Sequence, residues 1–219
     1  MRYGIVGAKG KMGRELRELF SSHGDELVLE VDVDYFDERG TPEVIVDFSS
    51  PSAVSTTVEL CKRYSAHLVI GTTALTQEHF EILRELGKQV AVVQSFNFSE
   101  GIAIFQKLLR EFSHLFAGWD CWIVETHHNQ KKDAPSGTAI MLKHEVGREV
   151  PISSLRIGGV FGEHVIYFAN TYEVFELKHS AISRKVFASG ARRAALFCLK
   201  VKKGFYNFLD VLEGGIEHG

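Results

Sequence analysis

Over the first hundred residues, short apolar runs alternate with stretches of helical periodicity. Tyr3–Val6, Leu27–Val33, Val44–Phe48, Leu68–Ile70 and Val90–Val93 are rich in Val, Ile and Leu, which predicts buried strands. Between them, Leu16, Leu19 and Phe20 share one helical face, as do Phe80, Leu83 and Leu86. Ser49 or Ser52 is placed to cap a helix near Ala53–Lys62, and Thr76 followed by His79 opens one over Gln77–Gly87. Strands alternating with helices predict parallel pairing.

Beyond Asn97 the rhythm changes. A long helix is predicted around Gly101–Phe116 and a strand over Trp119–Glu125. A further helix runs through Ile140, Met141 and Leu142, with Pro135 presetting its first helical φ. Three closely spaced runs follow, Ser154–Val160, Glu163–Asn170 and Tyr172–His179. Gly158, Gly159 and Gly162 punctuate them, as expected of an antiparallel or mixed sheet. A helical segment near Gly190–Lys200 precedes Phe205–Phe208. The predicted fold class is α/β: a Rossmann-type parallel-sheet domain over residues 1–98 and 185–219, plus a second α+β domain with a mixed sheet over 99–184. That boundary is topological, because no linker composition marks it. Phe161, Tyr167, Phe168, Tyr172 and Phe175 crowd the late strands beyond the needs of one inner face; such residues are usually core, and the alternative is an exposed sheet face that pairs with another subunit.

Composition narrows the class. With 45% hydrophobic and 24% charged residues in 219, the chain is globular rather than disordered or fibrous. A net charge of −3 gives no bulk attraction to nucleic acid or to an anionic membrane. The basic run Arg184, Lys185, Arg192, Arg193, Lys200, Lys202 and Lys203 lacks interleaved aromatics and reads as a solvated face. Cys61, Cys121 and Cys198 are widely spaced, which points to reduced thiols in a cytoplasmic protein. Gly4, Gly7 and Gly10 interrupt the amino-terminal apolar stretch, unlike a signal peptide, and no apolar run reaches membrane-spanning length.

Two segments carry chemistry. Gly7-Ala8-Lys9-Gly10-Lys11-Met12-Gly13 leaves the first strand and enters the first helix, where glycines let backbone approach a pyrophosphate. About twenty residues on, Asp32 ends the second strand and is placed to accept from an adenosine ribose. Alternation puts Glu30 and Asp34 on the same side, and position at the strand end favours Asp32. An acidic residue there repels the 2′-phosphate of NADPH, and Val33 stands where an arginine would bind it. NADH is therefore the preferred cofactor, with Lys9 and Lys11 keeping NADPH usable.

The second segment runs from Glu125 to Ala139. His127 and His128 supply two adjacent imidazoles, a group able to titrate near neutral pH, and Lys131 follows four residues after His127. A helix start at Gly137, Thr138 and Ala139 points N–H groups at an anion. The combination predicts a carboxylate-bearing substrate that is protonated during reaction. His127, His128, Asp133 and His144 lack a metal-ligand spacing, so no metal is expected, and Asp133 is assigned to fixing its loop.

Taken together, Gly7–Gly13, Asp47-Phe48-Ser49, Gly71-Thr72-Thr73, Ser95-Phe96-Asn97-Phe98-Ser99 and His127-His128-Asn129-Gln130-Lys131-Lys132-Asp133-Ala134-Pro135-Ser136-Gly137-Thr138-Ala139 resemble the 4-hydroxy-tetrahydrodipicolinate reductase family. Gly162-Glu163-His164, His179–Arg184 and Phe187–Ala191 are similar to its later landmarks, so the resemblance spans nearly the whole chain. It implies NAD(P)H-dependent reduction of a cyclic dicarboxylate of the diaminopimelate and lysine pathway, giving tetrahydrodipicolinate with loss of water, in a homotetramer. By motif position it implies His127 as proton donor or acceptor, Lys131 as second donor, and His128 as a substrate contact. Gly137 and Thr138 would hold a carboxylate. The first domain would bind the dinucleotide: Gly7, Ala8, Lys9, Gly10, Lys11 and Met12 the pyrophosphate, Gly71, Thr72 and Thr73 the nicotinamide side, with Ser95, Phe96, Asn97 and Phe98 completing the pocket. The second would bind substrate and tetramerise.

The sequence departs from the family at Ala74, where another glycine is usual, and in a short Asp34–Pro42 segment that opens the adenine side. A non-catalytic NAD(H) sensor is the competing reading, but it leaves His127, Lys131 and the helix start unexplained. A semialdehyde dehydrogenase would want a cysteine in the cofactor pocket, and none of the three cysteines lies in a matching motif.

Overall fold

The strands of the first sheet are β1 (Arg2–Val6), β2 (Glu26–Asp32), β3 (Tyr35–Glu38), β4 (Val44–Asp47), β5 (His67–Ile70), β6 (Ala91–Gln94) and, from the end of the chain, β11 (Gly204–Tyr206). Their order in this computed structural model, which describes residues 1–214, is β11-β6-β5-β4-β1-β2-β3. They belong to one of two compact units, Met1–Phe98 with Phe187 onward; the other is Ser99–Val186. The last residues of the predicted first domain, 215–219, lie outside the described residues.

Every pairing in this sheet is parallel except β2 with β3. The chain runs from β1 through α1 (Lys11–Ser22) to β2 on one side, then crosses to β4 on the other. That reversal is the switch point at which doubly wound sheets open a crevice beyond their strand ends. α2 (Val54–Tyr64) and α3 (Gln77–Gly87) make the later crossovers. Apolar burial holds the layers: Leu16 and Phe20 of α1 are fully buried, with Phe20 4.7 Å from the Tyr3 ring. Burial of each such side chain contributes about 1.5–3 kcal/mol.

Some local expectations are corrected. The Leu27–Val33 run ends at Asp32, and Tyr35–Glu38 returns as an antiparallel edge strand with Asp32 opposite Tyr35. Asp34 therefore sits in a turn, so strand alternation does not extend to it. Neither Ser49 nor Ser52 caps α2, because a 3-10 turn at Pro51–Ala53 intervenes. Ser49 Oγ donates to Asp47 instead, and Ser52 pairs with Ser50. Thr76 and His79 open α3 as a capping pair.

α6 (Lys185–Cys198), from Phe187 onward, and α7 (Phe208–Leu212) complete the first unit. A Cβ on Gly190 of α6 would lie 1.8 Å from the Phe98 carbonyl oxygen. Gly190→Ala is therefore expected to destabilise the protein by about 3 kcal/mol or more. Chemical denaturation checks this, and an unchanged midpoint would contradict the packing.

The second unit contains α4 (Glu100–Phe112), a 3-10 turn at Ser113–Phe116, β7 (Asp120–His127), α5 (Gly137–Val146), β8 (Ile152–Arg156), β9 (Glu163–Ala169) and β10 (Val174–Ser180). Its sheet order is β10-β9-β7-β8, with β7 and β8 parallel and the other pairs antiparallel, so the sheet is mixed. Ile123, Ile166 and Phe168 bury one face against Ile102, Leu109, Ala139 and Leu142 of the two helices. Phe116 stacks on Phe168 at 4.2 Å. Of the late aromatics, Phe161 precedes β9 and Tyr172 lies in a turn held by Asn170, so neither is on the sheet. Trp122, Leu155 and Val174 remain exposed.

Candidate active site

Strand alternation along β7 puts Ile123, Glu125 and His127 on the buried face, at 0%, 0% and 8% exposure. A carboxylate so deeply placed needs full compensation. Arg156, opposite His127 on β8, supplies two bonds: Nη1 to Glu125 Oε2 at 2.9 Å and Nη2 to Oε1 at 2.8 Å. Ser136 N–H donates to Oε1 at 3.1 Å, and His127 Nδ1 lies 2.5 Å from Oε2. Burial alone would raise the Glu125 carboxyl. Hydrogen bonds from Arg156, Ser154 and His127 outweigh it and hold the group at about 2.

The same network shapes the motif loop. Arg156 Nη2 donates to the Asp133 carbonyl at 2.6 Å, and the Asp133 carboxylate pairs with Lys131 Nζ at 2.8 Å. Asp133 thus fixes its loop through a side-chain ion pair and its carbonyl. Burial pushes that carboxyl up, but the Lys131 ammonium more than offsets it and the net shift is downward. Lys131 N–H donates to the His128 carbonyl at 3.1 Å, and both side chains are half-buried.

α5 begins later than the proline suggested. Pro135 precedes the N-cap, Ser136, whose Oγ accepts from Ala139 N–H at 3.2 Å. Ala139 is therefore engaged by the cap, and the positive end of the helix dipole lies at Gly137 and Thr138. His127, Lys131 and this helix start are tied to one buried carboxylate: His127 and Ser136 directly, Lys131 through Asp133 and Arg156.

Burial is the main force lowering the His127 imidazole. Lys131 and Arg156 lower it further, while Glu125 pulls it up, and the net shift is downward. His164 on β9 faces it ring to ring at 5.3 Å and has Nε2 3.3 Å from Ser136 Oγ. Burial, then the charge of His127, push His164 down to about 3. Because its folded value lies below the unfolded 6.5, His164 contributes stability that is full above pH 6.5 and declines as pH falls toward about 3. The expected loss is at most about 1.4 kcal/mol per pH unit in that window. Denaturation midpoints from about pH 7 to about pH 5 should fall for the native protein and flatten for His164→Asn. Parallel curves would remove His164 as the source. Among the described residues, no three His, Cys, Asp or Glu side chains are grouped to hold a metal ion.

In the first unit, the loops after β1, β4, β5 and β6 leave the same end of the parallel strands. Gly7 takes φ +84°, and a Cβ there would lie 2.9 Å from the Phe48 carbonyl oxygen. A Cβ on Gly13 would lie 2.4 Å from the Gly7 carbonyl, so α1 packs directly on the turn. Asp32 Oδ2 accepts from Lys9 N–H at 2.7 Å and Oδ1 from Val33 N–H at 2.9 Å, which hold its carboxyl below the usual range. Each oxygen keeps a lone pair for a ribose hydroxyl. Glu30 is buried and paired with Arg17 and Arg39, so it is occupied. Lys9 Nζ lies over the Tyr35 ring.

Buried Asp47 accepts from Ser49 Oγ at 2.5 Å, Thr57 Oγ1 at 2.6 Å and Thr72 Oγ1 at 2.9 Å, tying together the loops after β4 and β5. A Cβ on Gly71 would meet the Phe48 ring at 2.3 Å. Ala74 holds φ +59°, a conformation that glycine adopts more readily. Ser95 Oγ donates to the Asn97 carbonyl, and Phe96 is exposed. Phe98 is buried between Phe48 and Phe208, so only its backbone is available to a pocket.

Sequence comparison bears directly on these two sets of residues. Residues 22–98 match the family model described as dihydrodipicolinate reductase, N-terminus, and residues 101–212 match dihydrodipicolinate reductase, C-terminus. The 4-hydroxy-tetrahydrodipicolinate reductase of Thermosipho africanus is 54% identical over 213 residues, covering 97% of this chain and 98% of that protein. The chain belongs to the dihydrodipicolinate reductase family. By that membership it is an oxidoreductase. The enzyme of the same name from Stenotrophomonas maltophilia is 36% identical over 234 residues, covering 97% of this chain and 98% of that one. A dipicolinate-bound dihydrodipicolinate reductase from Paenisporosarcina sp. TG-14 shares the fold, with a TM-score of 0.76 at 24% identity, covering 96% of this chain and 98% of that one.

The sequence pattern alone gives Arg156 and Asp47 no site role. Asp47 lay inside a motif and was legible as a candidate. Arg156 sits in an unremarkable strand, and only its pairing opposite His127 gives it meaning.

Proposed function

We propose that this reductase converts 4-hydroxy-tetrahydrodipicolinate to tetrahydrodipicolinate with NADH or NADPH, releasing water, in diaminopimelate and lysine biosynthesis. The observation that carries this is the buried Glu125–Arg156 pair, around which His127, Lys131 and the start of α5 are assembled. A dianionic heterocycle needs cationic surroundings and a proton source, and this cluster offers both.

In this reading Lys131 binds one carboxylate and donates to it, while Gly137 and Thr138 hold the other at the helix N-terminus. His128 contacts the substrate. His127 exchanges the proton at the carbon next to the one reduced, which limits the negative charge that develops. The dinucleotide belongs to the first unit. Gly7, Ala8, Lys9, Gly10, Lys11 and Met12 cradle its pyrophosphate, Asp32 its ribose, and Gly71–Thr73 with Ser95–Phe98 its nicotinamide side. The tightly packed glycine turn fits such a group: added Cβ atoms at Gly7 and Gly13 would run into the backbone of Phe48, Gly7 and Ala8 and push apart the turn whose N–H groups would face the pyrophosphate. When bound, the reduced nicotinamide supplies the hydride.

Asp32 favours NADH, and the Lys9 ammonium over Tyr35 keeps NADPH usable. The exposed Trp122, Leu155 and Val174 face of the second sheet fits burial against further subunits in a homotetramer. The free thiols of Cys61, Cys121 and Cys198 fit a reducing cytoplasm, and no helix among the described residues is long and apolar enough to cross a membrane.

Initial rates with enzymatically generated substrate test the reading. Turnover is expected with both coenzymes, with higher kcat/KM for NADH. Higher kcat/KM for NADPH would overturn the preference, and no turnover with either would overturn the function.

A further inference from the structure

The buried pair suggests a division of labour within the site, resting on the role given to His127 above. We propose that Glu125, pinned by Arg156, is a positioning residue that locks His127 with its Nδ1 hydrogen toward the carboxylate, making Nε2 the nitrogen that exchanges a proton with the heterocycle.

The geometry leaves little choice of tautomer. An ionised carboxylate only accepts, so the 2.5 Å contact from Glu125 Oε2 to His127 Nδ1 requires the hydrogen on Nδ1. Glu125 cannot swing away, because it is fully buried and its oxygens are also held by both Arg156 nitrogens and by Ser136 N–H. The opposite edge of the ring points toward Gly162, where a Cβ would stand 3.1 Å from Nε2. Glycine there leaves that edge uncrowded.

The charges around the ring support a proton that moves on demand. Glu125 faces His127 from its own strand, Arg156 from β8, His164 from β9 and Lys131 from the motif loop, with His179 beyond His164 on β10. Arg156 and Lys131 disfavour the imidazolium, and Glu125 favours it. Two substrate carboxylates beside Lys131 would shift the balance toward Nε2 protonation, supplying the acid where it is used.

The test is the pH dependence of kcat in variants. If protonated His127 is the acid, kcat falls at alkaline pH as that proton is lost. Glu125→Gln is expected to lower kcat by roughly 10²- to 10⁴-fold, the scale on which carboxylates that orient a catalytic imidazole act. It should also move the alkaline limb to lower pH by about one to three units. Arg156→Gln should move the limb the other way. Loss of a purely structural pair would reduce folded yield but leave the limb of the surviving enzyme in place in both variants, and that result overturns the proposal. Nitrogen-15 NMR of the native protein's imidazoles needs no variant: the Nδ1–H tautomer for His127 is expected, and the Nε2–H tautomer overturns the proposal. His127→Ala separates the two levels. Near-normal turnover in that variant removes the acid assignment itself. An inactive His127→Ala alongside a Glu125→Gln with native rate and limb removes only the positioning role.

Discussion

His127→Ala is expected to lower kcat by roughly 10²–10⁴-fold, the contribution of a positioned general acid. KM for the dicarboxylate should change little, because the proposed reading gives carboxylate binding to Lys131 and the α5 start rather than to His127. The fold should survive, since Glu125 keeps both Arg156 bonds and the Ser136 N–H when the imidazole is gone. The diagnostic pattern is therefore a loss in kcat with circular dichroism and thermal midpoint close to the parent. Single-turnover kinetics would place the loss in the chemical step, whereas a variant that fails only in KM would move His127 from proton transfer to binding.

Lys131→Ala is the second large effect. A charge-assisted bond to a carboxylate contributes about 1.5–3 kcal/mol, and a donor lost from the reacting cluster adds to that. The expected fall in kcat/KM is on the order of 10²-fold or more, divided between KM and kcat. Stability should hardly move, because the partner carboxylate of Asp133 is largely exposed and such pairs contribute about 0–1 kcal/mol. Lys131→Arg should recover binding better than turnover, since the guanidinium keeps the charge but not the compact ammonium. Near-normal kcat/KM in Lys131→Ala would remove this residue from the mechanism.

The parts of the molecule legible in the sequence are those encoded by neighbouring residues. The glycine turn of residues 7–13, the α3 capping pair and the apolar strand runs carry local signals, and α3 spans Gln77–Gly87 as its periodicity indicates. β3 was not legible, because Tyr35–Glu38 is a half-exposed edge strand without an apolar run. The start of α5 misled for a related reason: Pro135 suits the first helical position, but Ser136 offers a side-chain oxygen and becomes the cap.

The interior of the candidate site depended on pairing across the sheet. Glu125 lay in plain view within the motif, yet its importance comes from Arg156, thirty-one positions away in sequence and one strand over in space. No spacing rule links such a pair, because strand register is fixed by the whole hydrophobic pattern of the sheet. Likewise, the burial that depresses His164 and the donors that converge on Asp47 arise from packing among distant segments.

The central claim is a hydride passed from a nicotinamide to the cyclic dicarboxylate, and isotopic transfer tests it most directly. NADH carrying deuterium at its transferable position is incubated with purified protein and freshly generated 4-hydroxy-tetrahydrodipicolinate, and the product is analysed by mass spectrometry. Tetrahydrodipicolinate bearing one deuterium, formed in step with NADH oxidation, is the predicted result. NADH that binds without being consumed, or is oxidised with no deuterium in the product, would contradict it.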